Sequence, residues 1–152
     1  MKTISLISVG KLKEKAYQQV ESDYLKRLST FKVKIYEEKS HKEDLELEAK
    51  GVLKRVQEIR SKGSASLFLF TEKGDSFNSN EFSKWLFNKF QNSNNIIFVI
   101  GGASGHGSEL YNTADGEVSL SPLTFPHHMT RAIIAEQFYR AETILIGHPY
   151  SK

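Results

Sequence analysis

The chain has 152 residues, with 21 Lys and Arg against 18 Asp and Glu, 39% apolar residues, 10 Gly, 3 Pro and no Cys. That length suits one domain of roughly 100–200 residues over its own core, and the lack of Cys removes disulfide scaffolds, thiolate zinc sites and cysteine nucleophiles while agreeing with a reducing compartment. The opening run carries hydroxyls at Thr3, Ser5 and Ser8 and meets Lys11, unlike a signal peptide, and no later run reaches the roughly 20 apolar residues of a membrane span, so a soluble, cytoplasmic protein is expected.

In chain order, the patterning predicts a strand over Ile4–Val9, a helix over Lys15–Leu28, a strand over Val33–Glu38 and a helix over Lys42–Lys62. A strand over Leu67–Thr71 and a helix over Asn80–Gln91 follow, then a strand over Ile96–Ile100 and a short helix over Ser108–Thr113. A strand over Glu117–Leu120 and a helix over Thr130–Leu145 complete the series. Short apolar runs alternating with helical segments imply an α/β fold, a mostly parallel sheet flanked by helices. Taken alone, this order suggests an unknotted, flavodoxin-like sheet. Phe82, Trp85, Leu86 and Phe90 fall at helical spacing and read as a core stripe.

Residues 1–62 hold 15 basic and 10 acidic side chains, and residues 63–152 hold 6 and 8. Lys11, Lys13, Lys15, Lys26, Arg27, Lys32 and Lys34 either attract phosphates or form an ordinary solvated face, since Glu14, Glu21 and Asp23 interleave with them.

Ligands of parallel sheets lie outside the carboxyl ends of the strands, so the chemistry is sought in the loops there. After the most apolar strand comes Gly101-Gly-Ala-Ser-Gly-His-Gly107, which is either a tight turn or a loop whose amides approach a ligand. It has no G-x-G-x-x-G register, and Ser108 stands where a P-loop needs Lys. Next, Leu120-Ser-Pro-Leu-Thr-Phe-Pro-His-His128 is stiffened by Pro122 and Pro126; a rigid, apolar loop with free backbone groups suits an adenine. His127 and His128 lack metal-ligand spacing and serve either as bases or in packing.

The last predicted helix is apolar around most of its circumference, which suits burial on one side against a second copy. Within it Glu136 and Arg140, spaced i, i+4, either pair or act on substrate. His148-Pro-Tyr150-Ser-Lys152 then gathers an imidazole, a phenol and an amine into a tail that is expected to matter for chemistry more than for folding.

Val9-Gly10-Lys11, Ile100-Gly-Gly-Ala-Ser-Gly105, Leu120-Ser-Pro-Leu-Thr-Phe-Pro-His127, Arg131 with Glu136-Gln-Phe-Tyr-Arg-Ala141, and His148-Pro-Tyr150 together resemble the RlmH (YbeA-type) SPOUT methyltransferases in order, spacing and total length. The resemblance implies a single SPOUT methyltransferase domain over 1–152, with a C-terminal trefoil knot. It implies an S-adenosyl-L-methionine-dependent enzyme that methylates N3 of a pseudouridine in helix 69 of 23S ribosomal RNA, acting as a homodimer without metal. Carried over by position, it assigns cofactor contacts to Phe70, Gly101, Leu120, Ser121, Pro122, Leu123, Thr124 and Phe125. His127, Arg140, His148 and Tyr150 are the groups available for proton handling, with Arg131 beside them. Family members usually end His-Pro-Tyr-His, whereas this chain has Ser151 in the last place. The rival readings are a non-catalytic ribosomal RNA-binding module of the same fold and a flavodoxin-like nucleotide-binding protein.

Overall fold

The computed structural model describes residues 1–42 and 44–151; Glu43, inside the predicted Lys42–Lys62 helix, and the tail amine of Lys152 lie outside the described residues. The elements run β1 (Thr3–Val9), α1 (Lys15–Lys26), β2 (Lys32–Glu38), α2 (Leu45–Arg60), β3 (Ser66–Ser76), α3 (Ser79–Asn92), β4 (Asn95–Ile100), α4 (Ser108–Thr113), β5 (Gly116–Ser119) and α5 (His127–Ile146), ending in a 3-10 turn at Pro149–Ser151. The five strands form one parallel sheet in the order β2-β1-β4-β3-β5. A flavodoxin-like sheet would place β3 beside β1; here β4 takes that position, which corrects the unaided expectation. Its run Ile96–Ile100 is buried throughout, so the most apolar strand occupies the centre of the sheet.

Strand alternation sorts the core onto two faces. Ile96, Phe98 and Ile100 join Leu6, Phe68 and Phe70 against α3 and α5, where Phe82, Leu86, Phe90, Ile134 and Phe138 fill the layer. Ile97 and Val99 point the other way with Ile7, Val9, Leu67 and Leu69 onto Ala49, Val52 and Val56 of α2 and Leu110 of α4. The stripe at Phe82, Leu86 and Phe90 is therefore core, and the helix carrying it begins at a capping box formed by Asn78 and Glu81.

Several boundaries differ from the sequence-based expectation for identifiable reasons. α1 stops at Lys26 rather than Leu28, and the Glu142 carboxylate accepts hydrogen bonds from the amides of Ser29 and Thr30 just beyond (2.8 and 2.6 Å). α2 starts at Leu45 because Asp44 caps it through the Leu47 amide, while Lys42 sits in the left-handed region at φ 58°. β3 continues to Ser76 through a polar stretch, with a register irregularity that sets both Phe70 and Asp75 against Val118. A Cβ on Gly74 would fall 2.6 Å from the Glu117 carbonyl carbon, so the close approach of these strands requires glycine there. α5 begins at His127 instead of Thr130, which moves both histidines from the loop onto the first helical turn.

β5 lies at one edge of the sheet, yet the first turn of α5 touches Ser8 near the end of β1, and α5 packs on α1 and α3. Residues 120–126 therefore travel back across the carboxyl ends of β3 and β4.

Candidate functional site

Where the pairing of β1, β4, β3 and β5 runs out, the sheet brings together Val9, Gly101, Phe70 and Leu120 from segments far apart in sequence. The glycine loop folds on itself: the Gly105 amide donates to the Gly102 carbonyl (3.1 Å), and Gly105 has φ 91°. A Cβ at Gly101 would meet the Gly105 oxygen at 2.7 Å, so glycine is required there by the loop's own packing.

Beneath this loop His106 is buried, with its Nε2 2.9 Å from the Phe70 carbonyl. A carbonyl only accepts, so Nε2 carries the proton and Nδ1 presents a lone pair. Burial holds the imidazole pKa below its ordinary value, against the opposing influence of the Phe70 bond and of Glu117 and Glu72. On the other flank Glu48 of α2 is 4% exposed, and its Oε2 accepts from the His41 amide (2.8 Å) and the Ser40 hydroxyl (3.2 Å). Its Oε1 and the His106 Nδ1 are buried with no hydrogen-bond partner among the described residues. These two unpaired acceptors bracket Gly101 and Gly102: a Cβ on Gly101 would sit 3.1 Å from His106 Cε1, and one on Gly102 3.4 Å from Glu48 Oε1. Sequence reading singled out neither residue, because only the chain's return through α2 and the loop's own curl set them beside the glycines.

Along the crossing segment Leu120, Ser121 and Phe125 are half-buried, while Pro122, Leu123 and Thr124 are exposed. The Leu123 amide donates to the Ser121 hydroxyl (3.0 Å). His127 follows, half-buried, with Nε2 3.4 Å from the Ser8 hydroxyl. Burial first, and then the Arg131 cation, keep it below the usual histidine pKa although Glu37 and Glu14 pull upward, so the imidazole is neutral near pH 7 and able to accept a proton.

Arg131 is not free to meet a substrate. It is 2% exposed, grips Glu21 in a bidentate pair (2.7 and 3.0 Å) and reaches Glu37 at 2.9 Å. A cleft of about 350 Å³ opens beside this cluster, lined by Leu12, Gln18 and Ile35 as well as the three charged groups. Burial raises the Glu37 carboxyl pKa, but the Leu12 amide and Arg131 outweigh it and leave it below the ordinary range.

The remaining candidates gather at the far end of α5. Arg140 pairs with Glu136 (2.7 Å), the simpler of its two expected roles, and its guanidinium lies over the Tyr150 ring. The Tyr150 hydroxyl donates to Glu136 (2.9 Å) and its ring meets Tyr139 edge-on. Burial, the Tyr24 hydroxyl and Glu136 push the phenol well above its usual pKa, so it stays protonated. His148 is exposed, and its Nδ1 accepts from the Tyr150 amide (3.1 Å). The tail is thus tied to α5 rather than loose. Thirteen residues of helix, about 20 Å at 1.5 Å per residue, separate His127 from Arg140. The fold brings Phe70, Gly101, Leu120 and His127 to one end of the sheet and leaves Arg140, His148 and Tyr150 at another. Among the described residues no group of three His, Asp or Glu is disposed to hold a metal, and no helix is long and apolar enough to cross a membrane.

Comparison with known proteins is consistent across the chain. Residues 1–151 match the family described as predicted SPOUT methyltransferase. The chain is 42% identical to the ribosomal RNA large subunit methyltransferase H of Prochlorococcus marinus (strain NATL1A), covering 97% of this chain and 94% of that one. It is 40% identical to the protein of the same name from Acetivibrio thermocellus, over 98% and 99%. Among solved structures, the SpoU methyltransferase AviRb from Streptomyces viridochromogenes aligns with TM-score 0.49 at 11% identity, over 96% of this chain and 61% of that one. With a family match spanning 151 residues and relatives at about two fifths identity along nearly their whole length, the chain belongs to the SPOUT methyltransferase family.

Proposed function

We propose that this protein is an S-adenosyl-L-methionine-dependent methyltransferase acting on large-subunit ribosomal RNA, at N3 of a pseudouridine in helix 69 of the 23S molecule. The observation that carries the reading is the glycine loop bracketed by two buried, unpaired acceptors, Glu48 Oε1 and His106 Nδ1. Unsatisfied buried acceptors are rare, and a ligand bearing N–H and O–H donors completes them. S-adenosylmethionine has such donors at its adenine, ribose and amino-acid ends. The residues that would hold it are Phe70, where the pairing of β3 with β4 stops, Gly101, just after β4, and Leu120, Ser121, Pro122, Leu123, Thr124 and Phe125, just after β5.

When bound, the cofactor supplies an activated methyl on a sulfonium that is its own leaving group, so no metal is required. The protein's part is to orient the base and accept its N3 proton. His127 is the group suited to take that proton, being neutral and at the same end of the sheet as the glycine loop. Arg140 and Tyr150 lie too far along α5 to join it within one chain, so they serve a site only across a homodimer. Met129, Leu145 and Ile146, exposed along α5, supply apolar surface for that contact. Arg140 stabilises a developing anion there, while Tyr150 and His148 contact the RNA base. On this reading the chain is a single domain over 1–152, residues 120–126 thread the C-terminal trefoil knot of the family, and the protein works in the cytoplasm, where ribosomes are.

Methyl transfer from labelled S-adenosylmethionine to ribosomes from a strain lacking this activity, with the product located by mass analysis of helix 69, tests the reading. Label at that pseudouridine is the expected result. Cofactor binding with no label would favour a silent RNA-binding module, and no cofactor binding an ordinary nucleotide-binding protein.

A further inference from the structure

On the reading that the glycine loop holds S-adenosylmethionine, we infer that the Glu48 carboxylate receives the α-ammonium of the cofactor's amino-acid end. Glu48 Oε2 is already satisfied by the His41 amide and the Ser40 hydroxyl, whereas Oε1 has no partner among the described residues and faces Gly102. None of the salt bridges among the described residues involves Glu48, so the carboxylate is buried without a countercharge. A buried carboxylate in that state is costly unless a cation joins it.

With the adenine at 120–125, as proposed above, the order of the strands sets which end of the ligand arrives there. From Leu120 at the end of β5, past Phe70 on β3 and Gly101 on β4, to Val9 on β1 is three strand spacings, about 14 Å at 4.8 Å each. A nucleoside whose adenine occupies 120–125 extends its amino-acid tail over Gly101 and Gly102 toward β1. Gly102 is where a Cβ would meet both Val9 (3.5 Å) and Glu48. Of the cofactor's two cationic groups the sulfonium has no N–H to donate, while the ammonium has three. His106 Nδ1, a neutral lone pair beside Phe70 and Gly101, suits a neutral donor of the nucleoside end, so the two orphan acceptors sort by charge. Admission of the ammonium requires the 102–105 turn to lift, and the Gly105 amide to Gly102 carbonyl bond is the backbone hydrogen bond that closes it.

Glu48→Gln tests this with little change of shape, because the amide oxygen keeps the bonds from His41 and Ser40 while an NH₂ replaces the unpaired oxygen. Binding is measured by calorimetry with S-adenosylhomocysteine, its desamino analogue and methylthioadenosine, which lacks the amino-acid end. The wild-type protein is expected to bind S-adenosylhomocysteine at least ten-fold tighter than the desamino analogue, in line with a hydrogen bond between charged groups. Glu48→Gln should lose roughly ten-fold or more in affinity for S-adenosylhomocysteine and bind methylthioadenosine as the wild type does. Equal affinity of wild type for S-adenosylhomocysteine and the desamino analogue overturns the assignment without using any variant. So does a Glu48→Gln protein that loses affinity for all three probes alike, or for none. If wild type binds none of the probes, the cofactor reading itself fails, which is a separate outcome from a binding protein indifferent to the amino group.

Discussion

At position 101 a single methyl group is decisive. A Cβ there lies 2.7 Å from the Gly105 oxygen and 2.9 Å from its carbon, so Gly101→Ala forces the loop open whether or not ligand is present. Overpacking of this kind typically costs about 1–3 kcal/mol, and the expected result is a lower melting temperature together with weaker binding of S-adenosylhomocysteine. His127 separates chemistry from binding more cleanly. His127→Gln should lower turnover about a hundred-fold or more, the usual scale for a lost general base, while cofactor affinity stays within a factor of two by calorimetry. Because the base must be deprotonated and its folded pKa is lowered, wild-type turnover should have an acid limb below about pH 6.5, and that limb should disappear in the variant. Arg131 shows how a motif residue can mislead when read as a catalyst. Replacement by Met strands the Glu21 and Glu37 carboxylates, a loss of about 3–5 kcal/mol for a broken buried pair, and the urea midpoint will fall accordingly.

At the scale of elements, α5 is held at each end by acidic groups from opposite directions. Arg131 in its first half docks onto carboxylates of α1 and β2, and Glu142 in its last turns ties down the amides of Ser29 and Thr30. The 3-10 turn after it is fastened through Tyr150 to Glu136 and Tyr24. A chain ending at Gly147 should therefore lose about 1.5–3 kcal/mol, the scale of one hydrogen bond to a charged group, more than a frayed terminus would. Tyr150→Phe, which keeps the ring against Tyr139, isolates the hydroxyl's share in the same thermal melt. Lys11 and Lys13 in the loop between β1 and α1, and Lys15 at the start of α1, face solvent. Replacing one of them by Gln should weaken binding to helix 69 RNA and reduce the slope of log affinity against log salt by about one unit or less.

Across the whole molecule, acid acts on several groups in the same direction. Glu37 has a lowered carboxyl pKa, so its contribution is present above the ordinary carboxylate range and is lost as pH falls through its folded value. His106 and His127 also have lowered values; the unfolded chain takes up those protons first, so stability declines once pH drops below about 6.5. Chemical denaturation at pH 8, 6 and 4.5 should show a steady decrease. Much of the layout was legible in advance, because β1, β4 and the Phe82–Phe90 stripe have periodicities that local sequence carries. The strand order was not, since the exchange of β3 and β4 depends on which apolar run wins the centre of the sheet. Glu48 and His106 were silent for a related reason: a buried acceptor without a partner is a property of three segments meeting, and no one segment displays it. The position of α5 bears on how the protein is made. It fills the gap between α1 and α3 with Ile134, Phe138 and Ala141, yet it is synthesised after all five strands. Until those residues leave the ribosome, Phe68 and Phe98 on the sheet and Phe82 and Phe87 on α3 lack the cover that α5 gives them, and apolar surface left open in this way favours aggregation of the nascent chain.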